Sequence, residues 1–82
     1  MNVRVLYFAV VAELVGLDEE HLALDASVRT VGAFRAFVEA HKSVLAGRLG
    51  HVRIARNARF ASDQELLAEG DELALIPPVA GG

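Results

Sequence analysis

Polar and hydrophobic positions alternate at the start of the chain. Val3, Val5 and Tyr7 fall on one face of an extended segment, and Arg4, Leu6 and Phe8 on the other. Asn2 to Phe8 therefore reads as a strand with a half-solvated outer face. Val10 to Val15 reads as a short helical turn closed by Gly16, a helix-ending glycine. Glu20 to Leu24 is a second strand, close enough in sequence to pair antiparallel with the first. After Thr30, a good N-cap, the period changes. Val31, Phe34, Phe37, Val38, His41 and Leu45 recur at three- and four-residue spacing, with Arg35, Glu39 and Lys42 on the wet side. Gly47 and Gly50 bracket a break, and Val52 to Ala55 is a third strand. Asn57-Ala58 is a tight turn, because Asn tolerates left-handed geometry, and Phe60 lies on a short return strand. Ser62-x-x-Glu65 has capping-box spacing and predicts one helical turn. Glu69-Gly70-Asp71 is a turn and Glu72 to Ile76 the last strand. Pro77-Pro78 stops the ladder there, since neither residue has an amide hydrogen.

One main helix against a mixed sheet is an α+β layer, the β-grasp arrangement. With 82 residues the chain holds one such domain, expected over residues 1–78, and a flexible tail over 79–82. Apolar residues make up 54%, mostly Ala, Val and Leu, which suffices for one small core. No apolar run approaches the roughly 18 residues that span a bilayer, so no membrane is expected. A net charge of −3 argues against a nucleic-acid partner. The absence of cysteine removes disulfides, thiolate catalysis and zinc–thiolate sites. Arg4 followed by the apolar Val5 to Ala12 has some likeness to a signal peptide. A single preceding cation and the prompt Glu13 argue for an intact cytoplasmic protein instead.

Candidate chemistry is sparse before the C-terminus. His21, His41 and His51 have no metal-ligand spacing, so no metal is expected. His41, on the apolar stripe of the helix, reads as a boundary residue. Asp18, Glu19 and Glu20 read as a solvated turn. No nucleophile stands in a strand–turn–helix setting and no Gly-rich loop cradles phosphate. Arg48, Arg53, Arg56 and Arg59 form either a wet hairpin face or a dock for an acidic partner.

The end of the chain is different. A strand runs into two prolines, then an apolar spacer, then Gly81-Gly82. Residues 79 to 82 reach about 13–14 Å when extended. Such a tail threads a channel too narrow for a Cβ and delivers one group, the Gly82 α-carboxylate. With a pKa near about 3.5 that group is ionised and a poor electrophile. Another protein would have to activate it, most simply by joining it to AMP. Sulfur displacing AMP would give a thiocarboxylate; a lysine amine would give an isopeptide bond. The expected role is carrier or tag, with no active site of its own.

Phe8-Ala9-x-x-x-Glu13-Leu14-Val15-Gly16, Thr30-Val31, Asn57, and Glu69-Gly70-Asp71-Glu72-Leu73-Ala74 through Pro77-Pro78-Val79-Ala80-Gly81-Gly82 resemble the small-subunit family of molybdopterin synthase. The resemblance runs the whole length, and residues 40 to 56 are its generic part. It implies a ubiquitin-like sulfur carrier of molybdenum-cofactor synthesis that binds no cofactor itself. An ATP-dependent activating enzyme would adenylate Gly82, and a sulfurtransferase would convert it to a thiocarboxylate. Pro78, Val79, Ala80 and Gly81 would thread into the active site of the large subunit. There sulfur would pass to cyclic pyranopterin monophosphate, building the dithiolene. Two small subunits would flank a large-subunit dimer as a heterotetramer. The family's hydrophobic docking residues fall on Phe8, Phe60 and Ile76, where Ile76 departs from a common aromatic. Strand parity agrees: with Val3, Val5, Leu73 and Leu75 facing the helix, Phe8 and Ile76 point to the opposite face, where Phe60 can join them. Three alternatives stay open: a thiamine-pathway sulfur carrier, a ubiquitin-like modifier conjugated to lysines, and a plain β-grasp interaction module. The Pro-Pro step and the chain length argue against the first.

Overall fold

The computed structural model describes residues 1–78. The inward positions of the first strand, Val3, Val5 and Tyr7, are all buried, and the strand β1 spans Asn2–Tyr7. It ends one residue earlier than the alternation predicts. Phe8 leaves the ladder in extended geometry and caps the helix α1 (Ala9–Val15), its carbonyl accepting from the Val11 amide at 3.1 Å. Gly16 closes α1 at φ 84°, a left-handed conformation that a glycine adopts without steric cost. The strand β2 (Glu19–Ala23) returns antiparallel, pairing Val3 with Leu22 and Val5 with Glu20.

The main helix α2 (Val31–His41) starts as the sequence predicts, with the Thr30 hydroxyl accepting from the Ala33 amide at 3.1 Å. Val31, Phe34 and Val38 are its buried stripe. The stripe does not carry Leu45 as a helical residue. The chain leaves the helical path at Lys42 (φ −115°, ψ 89°), and Leu45 enters the core from a separate 3₁₀ turn, Ser43–Leu45. The wet side is also less wet than its composition suggests. Arg35 donates to the Leu49 and Val52 carbonyls, each at 2.6 Å, and Lys42 meets Glu20 at 2.6 Å. These side chains pin the helix to the segments around it.

The strand β3 (Arg53–Arg56) turns through Asn57 and Ala58, both at positive φ (52° and 70°), into β4 (Arg59–Phe60). This is the two-residue hairpin turn whose twist matches that of its strands. The helical turn expected from Ser62-x-x-Glu65 does not form. The segment makes a tight turn, with the Glu65 amide donating to the Ser62 carbonyl at 3.1 Å, and the Glu65 carboxylate goes to Arg56. The first turn of α2 explains the difference, because its amides need acceptors. Val31 donates to the Glu65 carbonyl at 3.0 Å and Gly32 to the Asp63 carbonyl at 2.9 Å. The approach is close: a Cβ on Gly32 would stand 3.1 Å from the Asp63 Cβ, so a side chain there would push the Asp63 segment outward by a few tenths of an ångström.

The strand β5 (Glu72–Ile76) runs through the centre, parallel to β1 and antiparallel to β3. The sheet order is β2-β1-β5-β3-β4. Helices and turns cover one face, and the core between is aliphatic apart from Phe34 and Tyr7. This is a mixed five-stranded sheet with a main helix, the β-grasp arrangement. Among the described residues, no helix is long and apolar enough to cross a membrane.

Candidate functional site

The uncovered face of the sheet is built in rows by strand register. Leu6 pairs with Ala74, Ala74 with Ala55, and Ala55 with Phe60, so these four side chains lie side by side across β1, β5, β3 and β4. The next row holds Phe8, just past β1, then Ile76 and its register partner Arg53. Between the rows lies a depression of about 250 Å³ lined by Leu6, Phe8, Ala55, Ala58, Phe60, Ala74 and Ile76, with Glu72 as its charged member. Its shape follows from size. Two alanines in mid-sheet make a low floor, and larger apolar groups stand around them. Phe8 is 44% and Phe60 55% exposed, which is costly for aromatic rings without a use for them.

Charge is arranged around this surface. Below the apolar row, Arg4 spans Glu19 (2.9 Å) and Glu72 (3.0 Å). At the upper rim the Arg53 guanidinium lies over the Phe60 ring, 3.6 Å from its centroid. The arginines singled out by density therefore divide by strand parity. Arg53 is on the open face, while Arg56 turns to the other side and binds Asp71 (2.6 Å) and Glu65 (3.2 Å).

That second cluster fixes the start of the strand leading to the tail. Asp71 is buried and accepts from Arg56, from the Asn57 side-chain amide (2.9 Å) and from the Ala68 amide (2.7 Å). Burial alone would raise its pKa; these donors outweigh burial and hold the carboxyl below its usual range. Asn57 also receives the Glu72 amide on its carbonyl oxygen (2.9 Å), locking the hairpin turn to β5. On the covered face, burial raises the Tyr7 phenol, and its 2.6 Å hydrogen bond to Glu20 adds to the shift.

The structure thus brings Phe8, Phe60 and Ile76 to one surface, and Pro77-Pro78 leave β5 from the Ile76 side of it. Pro78 is exposed. Val79, Ala80, Gly81 and Gly82 lie outside the described residues. His21, His41 and His51 are not brought together; His41 is exposed and stacks on Phe37, and no group of three or more His, Asp or Glu among the described residues could hold a metal ion. Sequence reasoning missed the alanine floor and Leu6. The available signal was the Leu-Ala-Leu run of β5, in which the outward member is the small one.

A family model described as the ThiS family matches residues 5–82. The chain belongs to that family. Among relatives, the molybdopterin synthase sulfur carrier subunit of Escherichia coli is 40% identical over 98% of this chain and 99% of its own length. Among solved structures, the crystal structure of SAMP1 from Haloferax volcanii superposes with a TM-score of 0.86 at 31% identity, each chain covered completely. A Helicobacter pylori chain, from a complex of subunits 1 and 2 of the molybdopterin-converting factor, superposes at 0.69 with 26% identity over the full length of both. The β-grasp reading and the family resemblance both hold.

Proposed function

We propose that this ThiS-family chain is a cytoplasmic sulfur carrier of molybdopterin synthase. Its working group is the Gly82 carboxylate. In the first step a carboxylate oxygen attacks the α-phosphorus of ATP on an activating enzyme, releasing pyrophosphate and leaving an acyl adenylate. The persulfide of a sulfurtransferase then attacks the acyl carbon and AMP leaves; a thiol reductant cleaves the resulting acyl disulfide, forming a disulfide with the sulfurtransferase sulfur and leaving a thiocarboxylate. Pro78, Val79, Ala80 and Gly81 carry that group into the large subunit, where its sulfur displaces an oxygen substituent of cyclic pyranopterin monophosphate, and water then cleaves the acyl–sulfur bond, leaving sulfur on the pterin and returning the carboxylate. Phe8, Phe60 and Ile76 form the surface that docks on the large subunit.

The observation that carries this reading is the full-length likeness to the Escherichia coli sulfur carrier subunit. The depression supports it, since an exposed apolar surface beside the root of the tail suits docking and tail delivery together. The Helicobacter pylori complex supports a second subunit as the partner. The likeness to SAMP1 keeps lysine conjugation as the competing outcome.

Incubation with the cognate activating enzyme and ATP tests the reading by intact mass. An AMP adduct is expected, then exchange of one terminal oxygen for sulfur when the sulfurtransferase is added. A variant with one residue added after Gly82 gives neither. No adduct with a verified active enzyme, or full activation of the extended variant, refutes the carrier mechanism. Adducts that end on lysines of other proteins, with no sulfur gained, turn the reading to a modifier.

A further inference from the structure

Four of the eight Lys and Arg side chains of this chain are answered by carboxylates within it. Among the described residues, Arg4 holds Glu19 and Glu72, Arg35 holds Asp63, Lys42 holds Glu20, and Arg56 holds Asp71 and Glu65. Arg53 is exposed on the open face and meets no carboxylate there. Its guanidinium lies instead over Phe60, at 3.6 Å. A guanidinium over a ring uses its face for that contact. Its N–H donors lie in its own plane and stay available to an acceptor at the edge. The ring also restricts the side chain, so less freedom remains to be lost when an acceptor arrives.

The position adds meaning to the chemistry. Register sets Arg53 beside Ile76, two residues before Pro78, and its guanidinium lies over Phe60, a residue that lines the depression. Glu72 and Glu19, the carboxylates on this side of the sheet, are already engaged by Arg4. The depression is edged by one unanswered positive charge, in a chain whose net charge is −3.

We propose that Arg53 reads a carboxylate on the docking partner. The partner is a protein that presents an apolar surface to the depression and an Asp or Glu side chain to the edge of the Arg53 guanidinium. The inference rests on the docking role proposed for the open face and specifies the chemistry of what docks there. In the free chain the charge is well solvated. Once the partner covers the depression, water is excluded from one side of the guanidinium, and the ion pair strengthens as the local dielectric falls.

The test is calorimetric titration of the large synthase subunit with the full-length chain and its Arg53→Glu, Arg53→Ala and Phe8→Ala variants, each at low and high salt. Thermal melts confirm folding, which an exposed site leaves intact. Arg53→Glu is expected to weaken binding roughly 30-fold or more. Arg53→Ala is expected to weaken binding less, and to remove much of the salt dependence that the parent chain shows. Phe8→Ala, in the same depression but away from the ring under Arg53, tests the docking reading by itself and should weaken binding at both salt levels. If Phe8→Ala weakens binding while both Arg53 variants match the parent in affinity and salt response, the Arg53 proposal is overturned and the docking reading stands. If Phe8→Ala also binds like the parent, both fall.

Discussion

Ala74→Leu is the substitution that most directly questions the docking surface. Ala74 lies at the middle of the open face, between Leu6 and Ala55 in register, and is 7% exposed. Its neighbours Leu73 and Leu75 point into the core and are fully buried, so a leucine at 74 grows away from the core, into the depression of about 250 Å³. Three carbons are added. A partner side chain seated on the alanine floor loses burial equivalent to the carbons that displace it. At about 0.8 kcal/mol per methylene the loss is about 2.4 kcal/mol, or roughly 60-fold in Kd. The fold has no reason to suffer, because the new carbons enter open space between Phe8, Ile76 and Phe60. Calorimetric titration against the large subunit measures the affinity, and a thermal melt measures the fold. Ala40→Leu, on the exposed side of α2 and remote from the depression, serves as the control and should bind normally. Parent-like affinity for Ala74→Leu, with a parent-like melt, would show that the floor of the depression is not covered in the complex.

Two further predictions concern the ionisable groups that hold the sheet. Asp71 has its pKa lowered in the folded chain, so its stabilisation is complete above the ordinary value of 3.8 and is lost as pH falls through the lower folded value. Asp71→Asn should melt earlier at neutral pH and show a flatter acid limb; parallel melting curves against pH would contradict the role given to this carboxylate. Tyr7 has its pKa raised, so its contribution is present below the ordinary value of 10.0 and is lost as pH rises through the folded value. Tyr7 is the single tyrosine, which makes its ultraviolet titration clean. Phenolate absorbance should stay absent at about pH 11 until urea unfolds the chain, and its appearance in the folded protein would refute the burial argument.

Much of this architecture is legible in the residues. The period-two pattern of β1 and the three–four spacing of α2 are local consequences of side-chain direction. So are the Thr30 cap, the Gly16 stop and the Asn57-Ala58 hairpin, each satisfied by neighbours within a few residues. The failures share a cause. Ser62-x-x-Glu65 carries a helix-start spacing, but its carbonyls serve the amides of Val31 and Gly32 and its Glu65 side chain serves Arg56, all distant in sequence. Leu45 keeps the helical spacing although the helix has ended, because burial of Leu45 is compatible with more than one backbone path into the core. The placement of Phe8, Phe60 and Ile76 on one face follows from strand parity, yet the depression between them does not. It needs the register that sets Ala55 beside Ala74, and register between β3 and β5 joins residues about twenty apart.

The chain's own order of residues determined the class of fold, the inward and outward faces of each strand, and the place where pairing must stop at Pro77-Pro78. These are decided by backbone sterics and by which side chains avoid water, and both act over a few residues. Only the tertiary structure decided which outward groups become neighbours: the alanine floor, the Arg53 guanidinium over Phe60, and the division of the arginines between two faces. Those depend on strand order and register, which are settled by packing the whole sheet against α2 at once.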